Sequence, residues 1–199
     1  MTIRTKKVGA VFPALFLIAF SSKVEAQKSA AGQKAVTDAI LSGVMDDLWE
    51  QIDGHFHQGE YNHAINLSRV IVQAQPQRME CYGNAAWLLW STDRNTDAIA
   101  FLKQGLNANP KSYSMYDELG AHYFTRLHDP KSAIPYYEKA ASFRCPFATL
   151  HALANCYEKT GQWAKSVTIW ERAAKFKDDK LAPVRLKRAQ AELARRQRS

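Results

Sequence analysis

The sequence predicts an all-α protein: a solenoid of about four helix-turn-helix repeats with a flanking helix at each end. Two observations predict this fold class. Small residues recur at a period near 34 residues, and Pro76 and Pro110 repeat the same interval. The 199 residues also include only seven prolines and nine glycines, too few for a loop-rich or fibrous protein.

The small residues set the phase of the repeat. Ala64 and Ala98 are 34 residues apart, and Ala133 and Ser166 follow after 35 and 33 residues. Small residues at one phase allow two helices to approach closely, while large residues at three- and four-residue steps fill the gap to the next helix. The third copy carries the pattern best, in Tyr116, Leu119, Gly120, Tyr123, Ala133 and Tyr137.

A period near 34 with these residues in phase resembles the tetratricopeptide repeat. The resemblance implies a right-handed solenoid whose copies cover residues 45–78, 79–112, 113–146 and 147–178. The second and third copies depart from the pattern because they lack the turn glycine that Gly59 and Gly161 supply. Asp93 to Asn95 replaces it in one copy, and Leu127 to Pro130 in the other.

Two flanking helices are predicted beside the repeats. In residues 27–44, apolar residues recur at helical steps, so we expect a helix before the first repeat. Residues 179–199 are predicted to form a basic capping helix, because a terminal repeat exposes an apolar face that must be covered. One face of that helix carries Ala182, Leu186, Ala189 and Leu193.

Residues 1–26 are typical of a secretory signal peptide. A basic start with Arg4, Lys6 and Lys7 precedes 13 apolar residues, Val8 to Phe20, and the segment ends in Val-Glu-Ala at Ala26. A membrane anchor is the alternative, but 13 apolar residues fall short of the roughly 20 that span a bilayer. We therefore expect export, with cleavage after Ala26, to the periplasm or the outside of the cell.

The charge distribution argues against a nucleic-acid partner. The chain carries +8 overall, but residues 1–26 contribute +3 and residues 171–199 contribute +6. The repeats between them are close to neutral, whereas a nucleic-acid binder spreads basic residues over its working face. Association with an anionic membrane or envelope surface through the basic C-terminal helix is the alternative function.

No motif of a known catalytic class is present in the sequence, so we expect no enzymatic activity and no cofactor. Phosphate-binding glycine loops, nucleophile elbows and zinc-protease helices are all missing. A metal site at His55, His57, Glu60 and His63 is a distant alternative, since packing explains His55 by its repeat phase. Each of the three cysteines is expected to act as a small buried side chain, with one oxidised pair left open.

The resemblance also implies that the first helix of each repeat lines a concave groove where ligands lie. The expected partner is another protein or peptide, held by aromatic anchors in a groove whose first half is acidic. Packing of the same rings in the core is the alternative. Chaperone-tail recognition is disfavoured, because Trp49 and Asp53 stand where that subclass has Lys and Asn. The predicted groove residues are Trp49, Asp53, Phe56, Trp87, Trp90, Asp117, Phe124, His151 and Asn155.

Overall fold

The computed structural model describes the backbone of residues 13–198 and the side chains of residues 29–198. The first twelve residues of the predicted signal peptide lie outside the described residues. Within the described part all regular elements are helical, which confirms the predicted all-α fold. The helices are α1 (Pro13–His57), α2 (Tyr61–Ala74), α3 (Met79–Ser91), α4 (Asn95–Ala108), α5 (Tyr113–Ala121), α6 (Pro130–Ala141), α7 (Phe147–Lys159), α8 (Trp163–Ala173) and α9 (Ala182–Arg198).

The chain divides into two compact units after Leu48. In the first unit the described residues form the N-terminal part of α1. The flanking helix predicted over residues 27–44 lies within the bounds of α1, Pro13–His57. Val36, Ile40 and Val44, on its apolar face, are exposed. Within the described residues, none of the helices has the length and apolar character needed to cross a bilayer.

The second unit contains four helical hairpins followed by a single helix. The end of α1 precedes α2, and the pairs α3–α4, α5–α6 and α7–α8 form the next three hairpins. From α2 onward each helix packs against the one that follows it in the chain, up to α9. The repeat order predicted from the sequence is therefore the order of the packing.

The second helix of each hairpin contains a small residue that is fully buried. Ala64, Ala98, Ala133 and Ser166 are each 0% exposed. The packing is equally close on the facing helix of the third hairpin, where a Cβ on Gly120 would lie 2.8 Å from the Tyr137 ring. Small residues are thus required for the two helices of a repeat to approach.

All four hairpin turns use the same left-handed backbone conformation. Gly59 and Gly161 have φ of 76°, and Asp93 and His128, which replace glycine in the other two copies, have φ of 61° and 53°. Asp and His tolerate this region better than most residues with a Cβ. The turns that lack glycine therefore keep the same backbone conformation with Asp or His in its place.

The interval from Ala98 to Ala133 is one residue longer than the interval from Ala64 to Ala98, and a π-helical turn in the third repeat absorbs the extra residue. In the first, second and fourth turns an N–H donates to a carbonyl five residues earlier, as from Glu60 to His55. In the third turn Asp129 donates to Tyr123, six residues earlier. The π turn lies at His122–Arg126, immediately after α5. Single-residue insertions into α-helices commonly produce such turns, often at functional sites.

Asp179 attaches the last helix to the fourth repeat. One carboxylate oxygen, Oδ1, accepts the N–H groups of Leu181 and Ala182 at 3.0 Å and so caps α9. The other, Oδ2, lies 2.5 Å from Nε2 of His151 on α7. Burial raises the pKa of this carboxyl, but its bonds from Ala182 and His151 outweigh burial and hold the pKa below its usual value.

Replacing Ala133 with Leu is expected to destabilise the fold by roughly 1–3 kcal/mol, because the added atoms overpack a fully buried contact. Thermal or urea unfolding measures the change. Ala100→Leu is the matched control, since Ala100 lies exposed on the second helix of the preceding repeat and should tolerate the larger side chain. Equal stability of the two variants would contradict the assigned contact between the helices.

Replacing Asp179 with Ala is expected to cost about 1 kcal/mol or more, because α9 loses its cap and its bond to His151. The stabilisation is present above the pKa of about 3.9 of the unfolded chain and is lost as pH falls through the lower pKa of the fold. The stabilities of the two proteins should therefore differ at pH 6, begin to converge as the pH falls below about 4, and become equal only below the lower pKa of Asp179 in the fold. The exposed neighbour Asp178 supplies the control, and Asp178→Ala should match the unsubstituted protein at both pH values.

Candidate functional site

An open pocket of about 400 Å³ lies where the end of α1 faces α3. We call it the aromatic pocket. It contains four of the predicted groove residues, and the structure adds three that sequence reasoning missed. Its lining residues are Trp49, Ile52, Asp53, Phe56, Asn84, Trp87 and Leu88.

The rings of the aromatic pocket remain accessible while the residues beneath them are buried. Phe56 and Trp87 are each 37% exposed, and their ring centroids are 5.8 Å apart. Ile52 and Leu88 are buried in the core of the repeats. The pocket therefore offers aromatic faces on a rigid base, an arrangement that suits an inserted apolar side chain.

The rim of this pocket is polar and carries one acidic side chain. The carboxylate of Asp53 lies 3.5 Å from Nε2 of His57 and is largely exposed. Asn84 is also exposed and offers both a donor and an acceptor. An apolar anchor flanked by a basic or amide group would match both parts of the surface.

Three predicted groove residues make contacts within the fold. Trp90 is half-buried beneath Arg126, whose guanidinium carbon lies 4.6 Å from the ring centroid. Asp117 has one oxygen, Oδ1, buried without a hydrogen-bond partner in the described residues, and burial raises the pKa of this carboxyl. His151 is held by Asp179, as described above. Trp90 and His151 therefore make contacts within the fold at positions where periodicity predicts groove residues.

The remaining predicted residues, Phe124 and Asn155, line a second pocket of about 450 Å³ between the third and fourth repeats and α9. We call it the basic pocket. Phe124 belongs to the π turn, and the basic residues come from α7 and α9. Repeat phase also assigns Glu158 to the groove, and the structure adds four lining residues that sequence reasoning missed: Lys159, Trp163, Arg185 and Arg188.

The histidine cluster at the first hairpin turn has a geometry that a divalent cation can use. Nδ1 of His55 lies 2.5 Å from Oε2 of Glu60, and Nδ1 of His63 lies 3.5 Å from the same oxygen. All three ligand atoms lie within 4.8 Å of one another. Hydrogen bonding from His55 lowers the pKa of Glu60. The same contacts close the turn between α1 and α2, so the expectation of no metal stays a prediction.

The cysteines are buried and unpaired. Cys81, Cys145 and Cys156 are all free thiols. Burial raises the pKa of Cys81 and of Cys156 to about 12 and also raises that of Cys145. Thiols of this kind are protonated at neutral pH and are poor nucleophiles or metal ligands.

Comparison with known families identifies two of the repeats directly. Residues 80–112 and residues 149–182 each match a family model described as tetratricopeptide repeat. The first segment overlaps the predicted second copy, residues 79–112, and the second overlaps the predicted fourth copy, residues 147–178. No curated protein sequence matches the chain.

Solved structures show the same fold at low sequence identity. A thermophilic tetratricopeptide repeat protein of Thermus thermophilus is 18% identical over 85% of this chain and 96% of its own, with a TM-score of 0.54. The MamA protein is 19% identical over 67% and 73%, with a TM-score of 0.54. PilW, described as a widely conserved type IV pilus biogenesis factor, is 18% identical over 65% and 60%, with a TM-score of 0.53.

Proposed function

Because the chain is a tetratricopeptide repeat protein, we propose that it is a non-enzymatic scaffold that holds a segment of a partner protein in its groove. The repeat fold implies protein–protein interaction and does not by itself select the partner. Proteins of this family are typically non-enzymatic. The specific part of the proposal is the surface that binds and the chemistry that it recognises.

The observation that carries the proposal is the aromatic pocket. Trp49, Phe56 and Trp87 come from two successive repeats and meet around one opening, so a single ligand can contact all three. Aromatic rings in a water-accessible concavity bury large areas on binding at a small cost in side-chain entropy. We propose an apolar side chain as the anchor, with a basic residue next to it to face Asp53.

The proposed place of action is outside the cytoplasm. The proposal depends on the basic start, the 13 apolar residues and the Val-Glu-Ala segment at the N-terminus. A second candidate function, association with an anionic envelope surface, is favoured by the exposed arginines of α9, Arg195, Arg196 and Arg198. The buried apolar face of α9 counts against it, because Ala182 and Ala189 already pack within the fold.

Replacing Trp49 or Trp87 with Ala is expected to weaken partner binding by about 2 kcal/mol, roughly thirtyfold in Kd, with little loss of folding. Peptides selected from a displayed library by the unsubstituted protein provide the ligand, and titration calorimetry measures affinity. Phe176→Ala is the matched control because this ring is 39% exposed and lies outside the aromatic pocket.

Circular dichroism and melting curves accompany each of these titrations. Unfolding of both tryptophan variants would show that the rings are core. Equal affinity of Trp87→Ala and Phe176→Ala for the selected peptides would place binding elsewhere. Either result would contradict the proposed site.

N-terminal sequencing of the protein recovered from the medium or periplasm of an expressing bacterium is expected to begin at Gln27. The reason is that cleavage follows a small residue after the apolar stretch. Replacing Leu15 and Leu17 with Arg should abolish export, because the stretch is then no longer apolar. Recovery of an exported chain that still begins with Met1 would contradict the processing.

A further inference from the structure

The basic pocket carries more positive charge than its surroundings neutralise. Lys159, Arg185 and Arg188 line it together with a single carboxylate, that of Glu158. Within residues 29–198, none of these three basic side chains forms an ion pair with a carboxylate. An anionic ligand would therefore meet cations that have no competing partner in the fold.

The acidic residues near the basic pocket are already engaged. Oε1 of Glu158 accepts a hydrogen bond from the indole nitrogen of Trp170 at 2.7 Å and one from Ser166 at 3.2 Å. Glu192 on α9 pairs with Arg195 and Arg196, each at 2.7 Å. Within the described residues neither carboxylate forms an ion pair with Arg185 or Arg188, so both guanidinium groups can pair with a ligand.

Aromatic side chains form the rest of the wall. Phe124 of the third repeat and Trp163 of the fourth repeat both line the pocket, and both are half-buried. Arg196 stacks over the Trp163 ring with its guanidinium carbon 5.2 Å from the centroid. Nε1 of Trp163 is buried and has no acceptor among the described side chains. The pocket thus combines cations that form no ion pair in the fold with the apolar faces of two rings.

We propose that the basic pocket binds an acidic segment of a partner protein, with carboxylates on Arg185 and Arg188 and an apolar side chain against Phe124 and Trp163. Guanidinium groups bind carboxylates through paired hydrogen bonds, and planar rings accept apolar side chains. The volume of about 450 Å³ accommodates a few side chains. The site is separate from the aromatic pocket and does not depend on its function.

The shape of the pocket favours a peptide over a membrane or a nucleic acid. Lys159 and Arg185 come from different helices and line one concavity, whereas membrane-surface helices use a continuous apolar face beside the basic residues. In α9 that face is buried against the last repeat, through Ala182, Ala189 and Leu186. The nearly neutral repeats provide no basic stripe along which a phosphate backbone could lie.

The test uses a fluorescein-labelled hexapeptide of two Glu, two Asp, one Leu and one Phe, and its counterpart with Gln and Asn in place of the acids. Fluorescence anisotropy measures binding to the full chain at low and moderate salt. The acidic peptide is expected to bind with an affinity that falls as the salt concentration rises. The amide peptide is expected not to bind. Equal binding of the two peptides would overturn the proposal.

Charge reversal in the pocket provides the second arm. The double variant Arg185→Glu with Arg188→Glu is expected to lower the affinity for the acidic peptide by about tenfold or more. The matched control, Lys187→Glu with Arg198→Glu, makes the same charge change on the same helix outside the pocket and should cost less than about threefold. Circular dichroism checks the fold. If the charge-reversed variant unfolds, Arg185→Gln with Arg188→Gln replaces it. Its loss of affinity for the acidic peptide is expected to be smaller but still larger than that of the control variant.

The remaining outcomes distinguish other ligands and other sites. Equal losses in the pocket and control variants would overturn the proposal in favour of a diffuse basic face. Binding only to anionic lipid vesicles, with no binding of the peptide, would overturn it in favour of a membrane surface. Trp87→Ala is expected to leave the acidic peptide unaffected, and a loss in that variant would assign the peptide to the aromatic pocket instead.

Discussion

Close approach of the two helices in each repeat is the constraint on which the rest of this structure depends. One small residue per repeat, from Ala64 to Ser166, is fully buried where the second helix packs. A larger side chain there would separate the helices and shift every later element. Positions on the inner faces are less constrained in size. Residues there vary from Trp49 to Gly83, and the groove can acquire binding chemistry without loss of the fold.

The same constraint explains why an extra residue produces a π turn. Ala98 and Ala133 are 35 residues apart, yet both are fully buried at equivalent positions. The additional residue must be accommodated between two fixed contacts, and the π turn at His122–Arg126 does so. Periodicity predicted the fold and the four hairpins, because both depend on spacing, and the need to cover the last repeat predicted the final helix. Periodicity did not predict the π turn, although the 35-residue interval was the signal.

Residues of the candidate site could be predicted from the sequence only where the repeat phase determines their position. Trp49 and Trp87 meet in one pocket because successive first helices align. Phase does not specify which partners a side chain finds, and the bond from His151, a predicted groove residue, to Asp179 beyond the repeats was not predicted. The basic pocket could not be deduced from phase, because Arg185 lies on α9, outside the period. Its position required the packing of that helix.

The two pockets differ in charge more than in shape. This difference distinguishes the two orientations in which a ligand could lie across both pockets. Each joins aromatic rings to a polar rim, but Asp53 supplies the charge in one, and Arg185 and Arg188 supply it in the other. A segment that fills both has one favourable orientation, with its basic part near Asp53 and its acidic part near α9. The reversed orientation brings like charges together, so discrimination comes from repulsion as well as attraction. The uncharged anchors would supply affinity, while the charges would select the orientation.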